Sequence, residues 1–245
     1  MSFGRLLIVL FSIGMVAYDF MVPDAALFRD PSQARILFFH VPCAFIASYF
    51  MIAAAVAGFK TLKRSSARAA AGLHASVEIG TIYILLTLAS GILFSRAQWG
   101  DWWHNDPRQV SFLLVCLFYL ALLALRTAFK DPIQRDRVTG AYALALMLPS
   151  LFLVFVYPRL PHVKQKSFHP SDTIPADQLD TAYKVGLWGT LLALSLVTAV
   201  LYQERIKLAL LDSERENQDG NNSTHGNDSG GDGDRRPTRV RPLDS

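Results

Sequence analysis

Six long apolar runs divide the first 212 residues of the chain, and polar stretches of uneven length separate them. The runs cover about Leu6 to Phe20, Ile36 to Gly58, Val77 to Phe94, Val110 to Ala128, Gly140 to Tyr157 and Ala182 to Tyr202. Each is close to the roughly 20 residues that carry an α-helix across a bilayer. The expected fold class is therefore an all-α integral membrane protein with six transmembrane helices. The first run follows Arg5 and could be taken for a signal peptide, but it has no small-x-small cleavage site. Asp19 also interrupts it where an apolar core should still be running, so it is read as the first span. From Ser213 to Ser245 the chain offers mostly Ser, Asn, Asp, Gly, Arg and Pro. Such a segment cannot bury enough surface to offset its ordering entropy. The organisation expected is a membrane domain over residues 1–212 and a disordered polar cytoplasmic tail over 213–245.

Charge orients this array. The stretch 60–68 carries Lys60, Lys63, Arg64 and Arg68 with no acid, and 126–137 carries Arg126, Lys130, Arg135 and Arg137. The alternate loops hold most of the acids: Asp24 and Asp30, then Asp101 and Asp106, then Asp172, Asp177 and Asp180. Basic loops stay inside, so both termini are expected in the cytoplasm. The loops around residues 99–108 and 158–181 then share the outer side. The formal net charge of +4 belongs to this asymmetry and does not point to nucleic acid. Cys43 and Cys116 lie within separate apolar runs. They form neither a disulfide framework nor a C-x-x-C motif, and are expected to be small packing residues.

Candidate chemistry concentrates on the outer side. The stretch Trp99-Gly100-Asp101-Trp102-Trp103-His104-Asn105-Asp106-Pro107-Arg108 holds three of the four tryptophans. Trp is common where a membrane meets water, but this loop is dense for a simple aromatic belt. Flat aromatic faces beside fixed charges suit a ligand that is flat, apolar and charged at one edge. His40, His104, His162 and His169 all fall on the same side, whereas His74 lies at the inner end of the third run and His225 in the tail. Imidazole is a common axial donor to haem iron. A bare Zn²⁺ site would call for H-x-x-x-H spacing or a carboxylate partner, and no such pattern occurs. Pro42, Pro161 and Pro170 stand near these histidines and are expected to end or start helices locally. Glu78 is left without a role.

These residues resemble a known family. Trp99-Gly100-x-Trp102-Trp103-x-x-Asp106-Pro107-Arg108, followed by Ser111, is similar to the tryptophan-rich WWD signature of haem-handling membrane proteins. Six spans and about 210 core residues resemble the CcmC family, the haem exporter C proteins of cytochrome c maturation. His40-Val41-Pro42 resembles that family's first outer haem-ligand motif, and Phe168-His169-Pro170 its second, where Leu-His-Pro is more usual. Asn105 departs from the family pattern, which commonly has a further Trp there. The resemblance covers roughly residues 5–205.

The resemblance implies a haem-binding and haem-delivery protein rather than a catalyst, placed in the bacterial inner membrane with its haem site on the periplasmic side. It implies non-covalent haem b held by two axial histidines, His40 and His169, with His162 as the alternative second ligand. Trp99, Trp102, Trp103, Asp106 and Arg108 complete the implied haem-binding set, and Arg108, Arg96 or Arg35 could pair with the propionates. Asp106 could also cap the fourth helix, with Pro107 in its first turn. The implied partners are a CcmE-like periplasmic haem chaperone, CcmA-, CcmB- and CcmD-like members of an ABC-type complex, and membrane lipid. Three other readings compete. A CcsA-type cytochrome c synthase shares the WWD loop but is generally larger. A bis-histidine cytochrome b for electron transfer usually buries its ligand pairs within the bilayer. A structural assembly protein that has lost haem would have Asn105 as its only mark.

Overall fold

Helices form wherever the sequence supplies an apolar stripe and a stop at each end. In a computed structural model describing residues 3–25, 28, 30–64, 66–169 and 179–228, seven α-helices and no strand occur. They are α1 (Phe3–Met21), α2 (Leu37–Lys63), α3 (Ala67–Trp99), α4 (Pro107–Thr127), α5 (Pro132–Leu151), α6 (Pro161–Lys164) and α7 (Thr181–Asp228). A 3₁₀ turn over Ser32–Ile36 leads into α2, and α5 passes into a π-helical turn (Phe152–Val156) and a 3₁₀ turn (Tyr157–Arg159). All of these except α6 contribute to six helical stretches that are long and apolar enough to cross a membrane. The six expected spans are present.

The ends differ from the apolar pattern for local reasons. α3 starts at Ala67, well before the apolar run at Val77, because Ser66 caps it by accepting the Ala69 N–H at 3.2 Å and alanines carry the first turns. It stops at Gly100, whose φ of 94° is left-handed and open to glycine at no steric cost. Asp131 caps α5 through the N–H groups of Ile133 and Gln134, ahead of Pro132. Asp106 and Pro107 open α4 in the expected way. Pro42, by contrast, does not end or start a helix. It lies inside α2, whose ladder continues past it, so His40 stands in the first turn of a continuous helix. Pro161 does start α6, and Pro170 lies outside the described residues. α7 runs on to Asp228, so residues 213–228 of the expected tail are helical; once nucleated, a helix adds one hydrogen bond per residue. Residues 229–245 lie outside the described residues.

Two kinds of contact hold the bundle. The first is close approach. A Cβ on Gly58 of α2 would come 2.6 Å from the carbonyl oxygen of Gly140 in α5, so these helices cross backbone to backbone. The second is polar. Tyr83 of α3 and Thr198 of α7 share a hydrogen bond at 2.5 Å. Thr190 of α7 donates to Asp19 of α1 at 2.6 Å, and Arg5 pairs with Glu204 at the far end of the same helices. Glu78 acquires a place here: it accepts from Arg126 of α4 at 2.6 Å and from Arg205 of α7 at 2.6 and 3.0 Å, tying three helices together. His74 of α3 is hydrogen-bonded to Asp136 of α5 at 2.6 Å. Cys43 and Cys116 are free thiols buried in the main core cluster with Phe50, Val115 and Tyr119.

Candidate functional site

At the end of the bundle that carries the Trp-rich loop, α2, α3, α4 and the π turn diverge around a largely apolar cavity of about 280 Å³. His40, Val41 and Phe45 of α2 form one wall, and Gly91, Phe94 and Trp99 of α3 another. Phe112 of α4 and Val154 and Phe155 of the π turn close it from the other side. π turns of this kind widen a helix by one residue and recur at functional sites. Here the turn follows Pro149, which removes one backbone donor from α5. The polar groups facing the cavity are few: His40, Asp106, Arg108, Gln109, Ser111, Arg159 and His169, with Thr87 below them.

His40 and His169 meet across this cavity with ring centres 6.4 Å apart and planes tilted by 43°. They come from segments far apart in sequence, the first turn of α2 and the loop after α6. His162 does not join them; it is exposed on α6 and does not line the cavity. Burial pushes the His169 imidazole down to about 3, with the Arg108 guanidinium, His40 and Arg159 acting in the same direction. The ring is therefore neutral throughout the physiological range.

Asp106 is the residue that brings His169 here. Only 2% of it is exposed. One carboxylate oxygen accepts the Arg108 N–H at 2.8 Å, which is the α4 cap. The other accepts the Ser167 hydroxyl at 2.9 Å and the Phe168 N–H at 2.6 Å. Ser167 in turn accepts the His169 N–H at 3.3 Å. One carboxylate thus fastens the Trp-rich loop to the segment bearing the second histidine. Phe168 completes the join by packing its ring on Trp99 and His104, at 5.8 and 5.6 Å.

The tryptophans divide. Trp99 lines the cavity, whereas Trp102 and Trp103 do not. Trp102 is 56% exposed, with the Arg96 guanidinium 5.8 Å over its ring. Trp103 donates its indole N–H to Asn105 at 2.8 Å. Asn105 has a φ of 52°, a left-handed conformation that Asn tolerates better than bulky residues do. This residue therefore has a local structural reason to be Asn.

The arginines divide as well. Arg96 also donates to the Gly100 carbonyl, and Arg35 pairs with Asp24 at 2.8 Å and donates to the Val22 carbonyl at 2.7 Å. Neither faces the cavity. Arg108 and Arg159 do. Arg159 carried no signal in the sequence beyond being a basic residue just after the fifth run. Its side chain is steadied by a 2.7 Å hydrogen bond to the Phe155 carbonyl and lies 5.9 Å over the Phe155 ring.

Residues 2–220 match the family model described as heme exporter protein C. The chain belongs to the heme exporter protein C family. Among its curated relatives, the heme exporter protein C of Rhodobacter capsulatus is 34% identical over 131 residues, which is 54% of this chain and 53% of the relative. That of Paracoccus denitrificans is 30% identical over 129 residues, 53% of each. That of Escherichia coli K12 is 24% identical over 211 residues, 85% of this chain and 82% of the relative. The chain spans about half the length of the first two of these relatives.

Proposed function

We propose that this protein binds haem b non-covalently at the outer face of the bacterial inner membrane and hands it to a periplasmic haem chaperone during cytochrome c maturation. The observation that carries the reading is the separation of His40 and His169. Two metal–imidazole bonds of roughly 2 Å each, plus roughly 1 Å from each nitrogen to its ring centre, put the ring centres about 6 Å apart. The 6.4 Å between the ring centres supports one metal atom held between the two rings. The apolar walls suit a macrocycle, and Arg108 and Arg159 suit its two carboxylates through charge-assisted hydrogen bonds. Neither cysteine lines the cavity, which supports non-covalent holding. His74 is committed to Asp136, so among the described residues no second histidine pair crosses the membrane, as an electron-transferring cytochrome b would need.

Membership of the heme exporter protein C family and the names of its relatives support export of haem rather than catalysis as the task, in company with the other members of an ABC-type complex. The basic stretches 60–68 and 126–137 support a cytoplasmic position for both termini and a periplasmic one for the cavity. Trp102 and Trp103 then stand at the periplasmic rim, where a chaperone would approach. The experiment is direct. The purified protein, titrated with haemin, is expected to give a six-coordinate bis-imidazole spectrum and to lose the haem to added chaperone. A five-coordinate spectrum, or haem that the chaperone cannot withdraw, would overturn the reading.

Two expectations follow from the geometry. Trp99→Ala removes a cavity wall, and a lost aromatic contact of about 1 to 1.5 kcal/mol corresponds to about a tenfold weaker haem affinity. Trp102→Ala should leave haem affinity within about twofold and lower capture by the chaperone instead. Equal losses of haem affinity from both variants would remove the distinction between wall and rim.

The second concerns pH. The neutral imidazole is the form that ligates, and the His169 value is depressed to about 3. Its protonation therefore competes with iron only as the pH falls towards that value. An ordinary imidazole would begin to lose ligation below about 6.5. Haem affinity should accordingly stay level between about pH 8 and about pH 5. A tenfold loss per pH unit beginning near the ordinary value would show His169 to be solvated.

A further inference from the structure

We propose that Ser90 of α3 positions His40 by fixing its tautomer, so that Nδ1 carries the proton and Nε2 presents its lone pair to the cavity. The proposal deepens the haem-binding reading above and rests on His40 being an axial donor. It begins from a 2.9 Å contact between His40 Nδ1 and Ser90 Oγ. Distance alone does not say which atom donates, but the neighbours do. The Ser90 hydroxyl is 2.7 Å from the Leu86 carbonyl and 3.1 Å from the Thr87 carbonyl, both of which can only accept. Its single proton is therefore committed to its own helix. What Ser90 offers His40 is a lone pair, and only an Nδ1–H can use it. Ser90 therefore demands the proton on Nδ1.

The backbone of α3 supplies the seat. A Cβ at Gly91 would come 3.1 Å from His40 Cε1 and 3.8 Å from Nδ1, so the ring lies directly against the Gly91 position. Ser90 is only 5% exposed, and no water is needed to complete the contact. Two adjacent residues of α3 thus set the height and the proton of an imidazole carried by α2. An outer hydrogen bond of this kind fixes the orientation of a metal-binding imidazole and raises its basicity. None of this follows from the His40-Val41-Pro42 motif, because Ser90 and Gly91 lie fifty residues away.

The test uses the full chain in lipid nanodiscs. In the haem-free protein with ¹⁵N-labelled histidine, the His40 ring shifts should report Nδ1 protonated and Nε2 bare. Assignment comes from the signal lost in His40→Gly. With haemin bound, Ser90→Ala should weaken affinity by roughly tenfold, at the lower end of what lost outer-shell partners cost. It should also move the haem reduction potential to a more positive value, because a less basic imidazole stabilises the ferric state less. Ser90→Thr keeps the hydroxyl and should restore both. A His40 protonated on Nε2 in the wild-type protein overturns the proposal, even if Ser90→Ala fails to fold. So does an unchanged potential in Ser90→Ala. If His40→Gly leaves the haem spectrum intact, the haem reading of His40 fails, whereas the haem-free tautomer still reports the Ser90 contact on its own.

Discussion

Glycine at position 40 or at position 169 should each convert the haem-loaded protein from a six-coordinate to a five-coordinate spectrum. The two rings come from separate segments with their centres 6.4 Å apart, so removing either should leave the other in place with one axial position vacant. Losing an outer-shell partner of a metal ligand typically costs 10 to 100-fold in affinity, so losing a ligand itself should cost at least about a hundredfold. Millimolar imidazole should partly restore the spectrum in both variants, since the side chain's contribution is one nitrogen donor. His162→Gly is the appropriate control, because that residue is exposed on α6 and away from the cavity. His74→Gly is a poor one. It would remove the 2.6 Å hydrogen bond to Asp136 at the opposite end of the bundle and leave that carboxylate only its 3.5 Å contact with Arg135, and any loss could come from the fold. An unchanged spectrum in both His40→Gly and His169→Gly would end the axial-ligand reading.

The spans were legible because lipid demands long apolar helices, and length with hydropathy is enough to find them. What hydropathy cannot see is where a helix continues into water. α3 begins ten residues before its apolar run because Ser66 and a series of alanines extend it, and neither feature is hydrophobic. The Asp106-Pro107 cap was legible because an acceptor followed by proline is a local signal. The rest of Asp106 was not. Its bonds to Ser167 and Phe168 join residues about sixty positions apart, and no spacing rule reaches that far. Glu78 looked idle for the same reason, since its partners Arg126 and Arg205 lie on two other helices. Among the four histidines expected on one side of the membrane, the His-Pro context separated His169 from His162. The fold adds a geometric reason, because the clamp on Ser167 and Phe168 pulls only the residue that follows them into the cavity. Arg159 reaches the cavity through the π turn after Pro149, a local irregularity that the apolar pattern does not encode.

Asp106→Ala is the most informative single change outside the histidines, because it should release one axial ligand without touching it. The substitution removes the acceptor for the Arg108 and Phe168 N–H groups and for the Ser167 hydroxyl. A buried donor left without a partner costs about 1 to 3 kcal/mol, and the lost helix cap adds about 1. The bundle can avoid most of that cost without unfolding. The loop after α6 need only lift away, exposing its donors to water and withdrawing His169 from the cavity. The expected product is therefore an intact membrane protein whose haem keeps His40 and exchanges its second ligand freely with solvent or added imidazole. Asp106→Asn should lie between this and the wild type, since one carbonyl oxygen can serve the cap or the clamp but not all three donors. Ser167→Ala should be milder still, because the Phe168 N–H keeps its 2.6 Å bond to the carboxylate. Spectra at equal protein thermostability would read the order directly. If Asp106→Ala retained a full six-coordinate spectrum, His169 would be held by something other than the clamp. If it lost the protein from the membrane altogether, Asp106 would be a residue of the fold first and of the site second.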